Sequence, residues 1–155
     1  MSLARRIAAA GGLGFAPKAP GTVASAAAVV LGAGLLRLGP VFLPLACLAA
    51  IVLGLWAVRA VAAPGDPGWI VIDEVAGQWV ALMGLARPSL AGLVAAFLLF
   101  RLLDITKPGP VGWADRQRGP TAVMGDDLVA GIIAAGILWA VDRRFPGILG
   151  SGILG

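Results

Sequence analysis

The stretch "VMGDDLVAGIIAAGILWAV", residues 123 to 141, joins a long apolar run to two adjacent carboxylates at its head, Asp126 and Asp127. An α-helix needs an apolar run of about this length, roughly 20 residues, to cross the hydrocarbon core of a bilayer. Ionised carboxylates beside an apolar phase are costly, and intramembrane acids usually mark functional sites. The stretch therefore predicts a membrane-spanning helix with a functional site near one end.

The composition of the 155-residue chain indicates a membrane protein. Apolar residues make up 59% of the chain, charged residues only 13%, and the mean hydropathy is +0.95. Apolar runs recur along the whole chain, so we expect a single membrane-embedded domain over residues 1–155. The sequence contains no histidine, which excludes histidine-dependent acid–base catalysis and histidine metal ligands. Its single cysteine, Cys47, excludes a disulfide framework.

Five apolar stretches qualify as membrane spans. They cover residues 22–39, 41–63, 69–86, 88–103 and 123–141. Glycine- and proline-rich connectors separate them, as expected of turns between helices. The N-terminal segment before them is short, basic and rich in alanine and glycine, which suits an interfacial helix. The predicted fold class is all-α: a polytopic integral membrane helical bundle with four to five transmembrane spans and an N-terminal interfacial segment.

The charged residues divide unequally between the two sides of such a bundle. With five crossings, the N-terminus, the loop around residues 64–68 and the loop over residues 104–122 share one side. That side carries eight basic residues, Arg5, Arg6, Lys18, Arg59, Arg101, Lys107, Arg116 and Arg118, whereas the other carries four, Arg37, Arg87, Arg143 and Arg144. The positive-inside rule makes the first side cytoplasmic. Basic residues scattered at the ends of spans do not predict nucleic-acid binding.

Seven of the eight acidic residues fall on this same side, and they include two pairs in similar surroundings. "IDEVAG" (72–77) and "GDDLVAG" (125–131) each place an acidic pair before Val-Ala-Gly. Small residues allow two helices to approach closely, so the pairs could converge, together with Asp104 and Asp115. Clustered carboxylates require either raised pKa values or a cation, and oxygen-only ligands favour Mg²⁺. The alternative is that Asp73 and Asp127 merely cap helix N-termini.

The segment "GLGFAPKAPGT", residues 12–22, precedes the first span and presents Lys18 from a stiff loop. Lys18, exposed backbone N–H groups and Thr22 at a helix start could bind an anionic oxygen such as that of a phosphate. The alternative is a connector with a snorkelling lysine. Arg101 and Lys107, three residues either side of Asp104, are similarly ambiguous, because Arg101 could pair with Asp104 along one helix. Carboxylates, basic groups and an apolar wall together suggest a lipid phosphate as substrate.

Four motifs resemble those of the phosphatidylglycerophosphatase A family, small inner-membrane enzymes of bacteria. They are "GFAPKAPGT", "DEVAGQW", "FRLLDITKPGPVGWADR" and "MGDDLVAGIIAAGIL", in the family's order and spacing from about residue 12 to residue 141. The resemblance implies Mg²⁺-dependent hydrolysis of phosphatidylglycerophosphate to phosphatidylglycerol and phosphate at the cytoplasmic face. The family's acidic positions carry over to Asp73, Glu74, Asp104, Asp115, Asp126 and Asp127, and its basic and loop positions to Lys18, Thr22, Arg101, Lys107 and Arg116.

Individual roles are hypotheses built on that resemblance. Asp73, Glu74, Asp126 and Asp127 hold Mg²⁺, and Lys18 and Lys107 neutralise the transferring group. Lys18, Thr22, Arg101, Lys107 and Arg116 bind the substrate. Asp104 or Asp115 accepts the proton of an attacking water, with a phospho-aspartyl intermediate as the competing route.

Two rival functions have different sequence signatures. A CDP-alcohol phosphotransferase also uses clustered aspartates, but its spaced D-G-x-x-A-R…G-x-x-x-D-x-x-x-D motif is missing from the chain. A small cation transporter would distribute its acids through the membrane depth, whereas these acids group near one face.

Overall fold

The computed structural model describes residues 1–61, 67–117 and 119–150, and its regular elements are helices. The α-helices are α1 (Leu3–Ala8), α2 (Pro20–Leu38), α3 (Phe42–Val61), α4 (Ile72–Leu82), α5 (Leu90–Thr106), α6 (Pro110–Asp115) and α7 (Pro120–Arg144), with a 3₁₀ segment, Ala10–Phe15, after α1. The described ranges contain no strand, so the all-α prediction is confirmed. Asp66 and Arg118, placed by sequence on the cytoplasmic side, lie outside the described residues.

The helix ends follow the local chemistry of the chain. Pro20 occupies the first turn of α2, where its fixed φ suits a helix and its missing N–H costs nothing. The Ser89 hydroxyl accepts the N–H of Gly92 at 2.9 Å and caps α5. At the other end of α5, Lys107 takes a left-handed conformation with φ of 47° before Pro108. The Lys107-Pro108 breaker therefore ends α5 at the start of the connector that the sequence predicted.

Within the described ranges, three helices are long and apolar enough to cross a membrane: α2, α3 and residues Thr121–Arg144 of α7. Large apolar side chains point outward on them, such as Val30 on α2, Leu45 on α3 and Ile132 on α7, which are 73%, 61% and 61% exposed. An apolar exterior around buried carboxylates is the arrangement expected of a protein surrounded by lipid. The chain is a helical protein with candidate membrane-spanning segments.

Helix α4 is shorter than the predicted stretch over residues 69–86. Its 11 residues measure about 16 Å, roughly half of a ~30 Å hydrocarbon core. Eight of the 11 residues are buried, so α4 occupies the interior of the bundle rather than its lipid-facing surface. On one side the indole N–H of Trp79 donates to the carbonyl oxygen of Ala28 in α2 at 2.9 Å. This central position makes α4 the element against which the site is built.

The N-terminal segment packs against the entrance to α4. The backbone N–H of Val71 donates to the carbonyl oxygen of Ala8 at 2.9 Å. The rings of Phe15 and Trp69 stack with their centroids 6.0 Å apart, and the guanidinium carbon of Arg5 lies 5.5 Å and 5.2 Å from these two centroids. These contacts fix the chain just before the first acidic pair.

Candidate functional site

Three carboxylates from two helices meet near one end of the bundle. Asp73 and Glu74 lie in the first turn of α4, and Asp127 lies near the start of α7. One carboxylate oxygen from each lies within 4.8 Å of the other two. Asp73 and Asp127 are only 5% and 3% exposed. The predicted convergence of the two acidic pairs is thus present for these three residues, which we call the carboxylate triad.

Glycines bring α4 and α7 close enough to form the carboxylate triad. A Cβ atom on Gly77 would lie 2.5 Å from the backbone oxygen of Asp127, and one on Gly131 would lie 2.3 Å from the backbone oxygen of Gly77. Neither position leaves room for a side chain, so the two backbones are in direct contact. The Val-Ala-Gly sequence that follows each acidic pair therefore places α4 beside α7.

Helices α2 and α5 close the other side of the carboxylate triad. Arg101 donates a hydrogen bond to the carboxylate of Asp104, one turn further along α5. Asp104 in turn lies within electrostatic reach of Glu74 and Asp127. A Cβ atom on Gly21, at the start of α2, would lie 2.1 Å from Oε1 of Glu74 and 3.3 Å from Nη1 of Arg101. Asp104 and Arg101 thus border the triad, and the half-buried Thr22 follows Gly21 in the first turn of α2.

Lys107 organises the remaining two acidic residues. Its Nζ donates to Oδ2 of Asp126 at 2.8 Å and to the carboxylate of Asp115, an exposed residue at the end of α6. Partial burial lowers the pKa of Lys107, but the hydrogen bonds to the two carboxylates outweigh it, so the pKa is raised above its ordinary value. Lys107 therefore remains a cation at any physiological pH. Asp126, expected as a metal ligand, faces this lysine rather than the carboxylate triad.

Across the ranges described, two predicted substrate-binding residues contribute no ion pair to these clusters. Lys18, in the turn before α2, and Arg116, just after α6, are both exposed. Neither forms an ion pair with a carboxylate in the part of the chain that the structure describes. Their roles in substrate binding stay predictions.

The predicted site residues did not include Gln78, whose buried amide is a functional candidate. Its side chain is fully buried, and neither its amide nitrogen nor its amide oxygen has a hydrogen-bond partner within the described ranges. Gln78 follows Glu74 by four residues and so shares its face of α4. A polar side chain inside an apolar stretch is a functional candidate, and the run "AGQWVAL" contains that signal.

The chemistry of the carboxylate triad fits a hard divalent cation. Its ligands are all carboxylate oxygens, which suit Mg²⁺ or Ca²⁺ better than softer metals. Oε2 of Glu74 is buried and has no hydrogen-bond partner among the residues described. An unpartnered buried carboxylate oxygen is costly, and a bound cation would satisfy it.

The fold and the site define a helical membrane protein with a buried acidic centre at one end of its bundle. This acidic centre is the carboxylate triad, and the cations Arg101 and Lys107 flank it. Comparison with known proteins identifies the family more closely. A family model described as Phosphatidylglycerophosphatase A matches residues 6–142. The chain belongs to this family of phosphatases, which confirms the resemblance found in its motifs.

Three relatives are similar over most of the chain. Phosphatidylglycerophosphatase A of Escherichia coli (strain K12) is 37% identical over 143 residues, which cover 89% of this chain and 83% of the relative. The protein of the same name from Haemophilus influenzae is 34% identical, over 84% of this chain and 83% of its own. A Bacteroides thetaiotaomicron protein, assigned provisionally as a phosphatidylinositol-3-phosphatase, is 36% identical, over 85% of this chain and 88% of its own length. No solved structure matches the chain.

Proposed function

We propose that the chain hydrolyses phosphatidylglycerophosphate to phosphatidylglycerol and inorganic phosphate in a Mg²⁺-dependent reaction. The observation that carries this proposal is the carboxylate triad beside two fixed cations, Arg101 and Lys107, in a member of the phosphatidylglycerophosphatase A family. Acidic metal ligands together with cations that contact phosphate oxygens are the usual components of phosphoryl-transfer sites.

Asp73, Glu74 and Asp127 would hold the Mg²⁺. The bound ion supplies Lewis acidity, which polarises phosphoryl oxygens and lowers the pKa of a water molecule. Asp126 borders the triad but accepts a hydrogen bond from Lys107. We therefore place Asp126 as the residue that orients Lys107, and Asp115 as its second support.

The basic residues neutralise the substrate phosphate. Arg101, bonded to Asp104, and Lys107, bonded to Asp126, complement charge that builds up on the phosphoryl oxygens. Thr22 and the free N–H groups at the start of α2 offer further donors beside Glu74. Lys18 and Arg116, both exposed, attract the anionic head group to the site.

Asp104 would accept the proton of the attacking water. It interacts with Glu74 and Asp127, whereas Asp115 is exposed and bonded to Lys107. As the water oxygen bonds to phosphorus, the bond from phosphorus to the glycerol oxygen breaks, and that oxygen takes up the proton that Asp104 accepted from the water. The competing route makes an aspartate the nucleophile. Trapping with hydroxylamine distinguishes the routes, because only a phospho-aspartyl enzyme forms a hydroxamate.

We propose five crossings of the bacterial inner membrane, with the site at its cytoplasmic face. Helix α5, with 17 residues or about 26 Å, adds a fourth crossing to the three longer helices. The fifth consists of α4 and the turn that follows it. Arg87, after that turn, and Asp142, near the end of α7, line one cavity, which supports a position for both at the opposite face. Protein surrounds this irregular backbone, as membranes require.

The decisive experiment is phosphate release from phosphatidylglycerophosphate by the purified protein, with and without Mg²⁺. We expect Asp127→Asn to lose activity by a factor of about 100 or more, as for a direct participant in catalysis. Asp142→Asn, a carboxylate at the other end of α7, is the matched control and retains activity. Full activity in chelator, or in Asp127→Asn, would overturn the proposal.

The same assay with phosphatidylinositol 3-phosphate tests the substrate. The Bacteroides thetaiotaomicron relative carries that activity in its name. We expect a higher kcat/KM for phosphatidylglycerophosphate, because the family model and two relatives are named for that lipid. The opposite preference would contradict the proposed substrate but not the proposed role of the carboxylates.

A further inference from the structure

An apolar groove of about 440 Å³ lies between α2 and α5. Ala26, Val30 and Gly34 line it from α2, and Leu90, Val94 and Phe97 line it from α5. Several of these side chains are exposed, with Val30 at 73% and Leu90 at 72%. Its volume falls within the range of small-molecule pockets, roughly 300–1,000 Å³, but it offers almost no polar group for recognition.

The two helices that form the groove also carry part of the candidate site. Ala26 follows Gly21 by five residues on α2, and Phe97 precedes Arg101 by four residues on α5. At about 1.5 Å per residue, the groove begins roughly 6–8 Å below the level of Gly21 and Arg101. The groove therefore begins about one to one and a half helical turns from that level on both helices.

The length of the groove matches a lipid chain. From Ala26 to Arg37, which lines its far end, α2 rises through 11 residues, or about 16 Å. One leaflet contributes about half of the ~30 Å hydrocarbon core. The groove is thus long enough for most of the acyl chain of one phospholipid.

We propose that this groove binds an acyl chain of the substrate while the phosphate occupies the acidic centre. The inference rests on the proposed function, and it specifies where on the protein the acyl part of that substrate binds. The glycerol backbone bridges the turn between Arg101 and Phe97. The acyl chain then runs between α2 and α5. Its position in the groove holds the phosphate beside Glu74 and Arg101.

Two glycines provide a matched pair of variants. Gly34 lies in the groove, and a Cβ atom there would meet nothing within 4 Å, so a larger side chain fills the groove without straining the helix. Gly136, on α7, is equally exposed, and a Cβ atom there also meets nothing within 4 Å. Gly34→Leu therefore blocks the groove, and Gly136→Leu adds the same side chain elsewhere. Val94→Phe blocks the groove from α5.

The experiment compares dioleoyl phosphatidylglycerophosphate in mixed micelles with its water-soluble dihexanoyl analogue. We expect both groove variants to lower kcat/KM for the dioleoyl lipid about tenfold or more, chiefly through KM, since misfits in apolar pockets have effects of this size. The dihexanoyl lipid is too short to reach Gly34, so its kcat/KM stays within about twofold of wild type. Gly136→Leu leaves both substrates unchanged.

The outcomes separate the two proposals. Wild-type protein that releases no phosphate from either lipid contradicts the proposed function itself. If the wild type is active, the acyl-chain site is overturned by either of two results. The groove variants lower kcat/KM for both lipids equally, or they leave kcat/KM unchanged for both. Unchanged kcat/KM for both lipids is also the result expected if a lipid of the opposite leaflet, bound at Arg37, fills the groove.

Discussion

Gln78 is a buried amide one helical turn beyond Glu74, and its unpartnered state has an energetic consequence. A buried donor or acceptor without a partner costs about 1–3 kcal/mol, whereas an apolar side chain of similar shape costs nothing of this kind. The amide is therefore present at a cost to stability. Such a cost is typical of residues kept for function rather than for folding.

We expect Gln78→Leu to raise the free energy of unfolding by about 1–3 kcal/mol, because the variant removes an unpartnered amide and keeps similar volume. A higher midpoint of thermal unfolding in detergent would show this. Gln117→Leu, on an exposed glutamine, is the control and leaves the midpoint unchanged. A lower midpoint for Gln78→Leu would mean that the amide is satisfied in the folded protein.

At the residue scale, the acidic residues could be found from sequence, because carboxylates are rare in apolar runs. Their division between the carboxylate triad and Lys107 was harder to see. Adjacent residues on a helix point about 100° apart, so Asp126 and Asp127 meet different neighbours. Asp127 shares its face with Gly131, which contacts Gly77. That spacing identifies the inward-facing aspartate, but only once α4 is known to be the partner helix.

Among the elements, the crossing of α4 and α7 depends on Gly77. An added methyl group would approach within 2.5 Å of the Asp127 backbone oxygen. We expect Gly77→Ala to push the helices apart and to destabilise the protein by about 1–3 kcal/mol, as overpacking does. The rate of phosphate release should fall by more than the loss of folded protein explains, since the shift separates Asp73 and Glu74 from Asp127. Thermal unfolding and phosphate release on the same preparation measure the two effects.

Gly136→Ala is the control for that experiment. It adds the same methyl group to an open position on α7 and should stabilise the helix by about 0.5–1 kcal/mol. If Gly77→Ala behaved like Gly136→Ala, direct backbone contact would not be what holds the carboxylate triad together.

The helix boundaries were predicted less well than the helices themselves. Apolar content predicted a span over residues 69–86, but α4 ends at Leu82, and the chain continues through a turn. Gly84 lies in that turn, where a Cβ atom would approach the Ala135 backbone oxygen to 2.3 Å. Contact with α7 therefore accompanies the end of the helix, and hydropathy carries no information about such a contact.

For the whole molecule, the orientation in the membrane is open to a direct test. In a Cys47→Ala background, Trp113→Cys places an exposed thiol at the end that carries the acidic centre, and Phe145→Cys places one at the other end. We expect a membrane-impermeant maleimide to label Phe145→Cys in intact spheroplasts and Trp113→Cys only after permeabilisation. The reverse pattern would contradict the cytoplasmic placement that the basic residues predict.

An apolar layer closes the bundle beneath the acidic centre. Leu43, Leu82, Leu85, Leu93 and Leu138 form one buried cluster toward the opposite end of the helices. Ions and protons drawn to the carboxylates would meet these hydrocarbon side chains on the way to the opposite end. In the bacterial inner membrane, where we propose that the protein lies, this apolar layer would separate the charged chemistry at one leaflet from the ion gradient across the membrane.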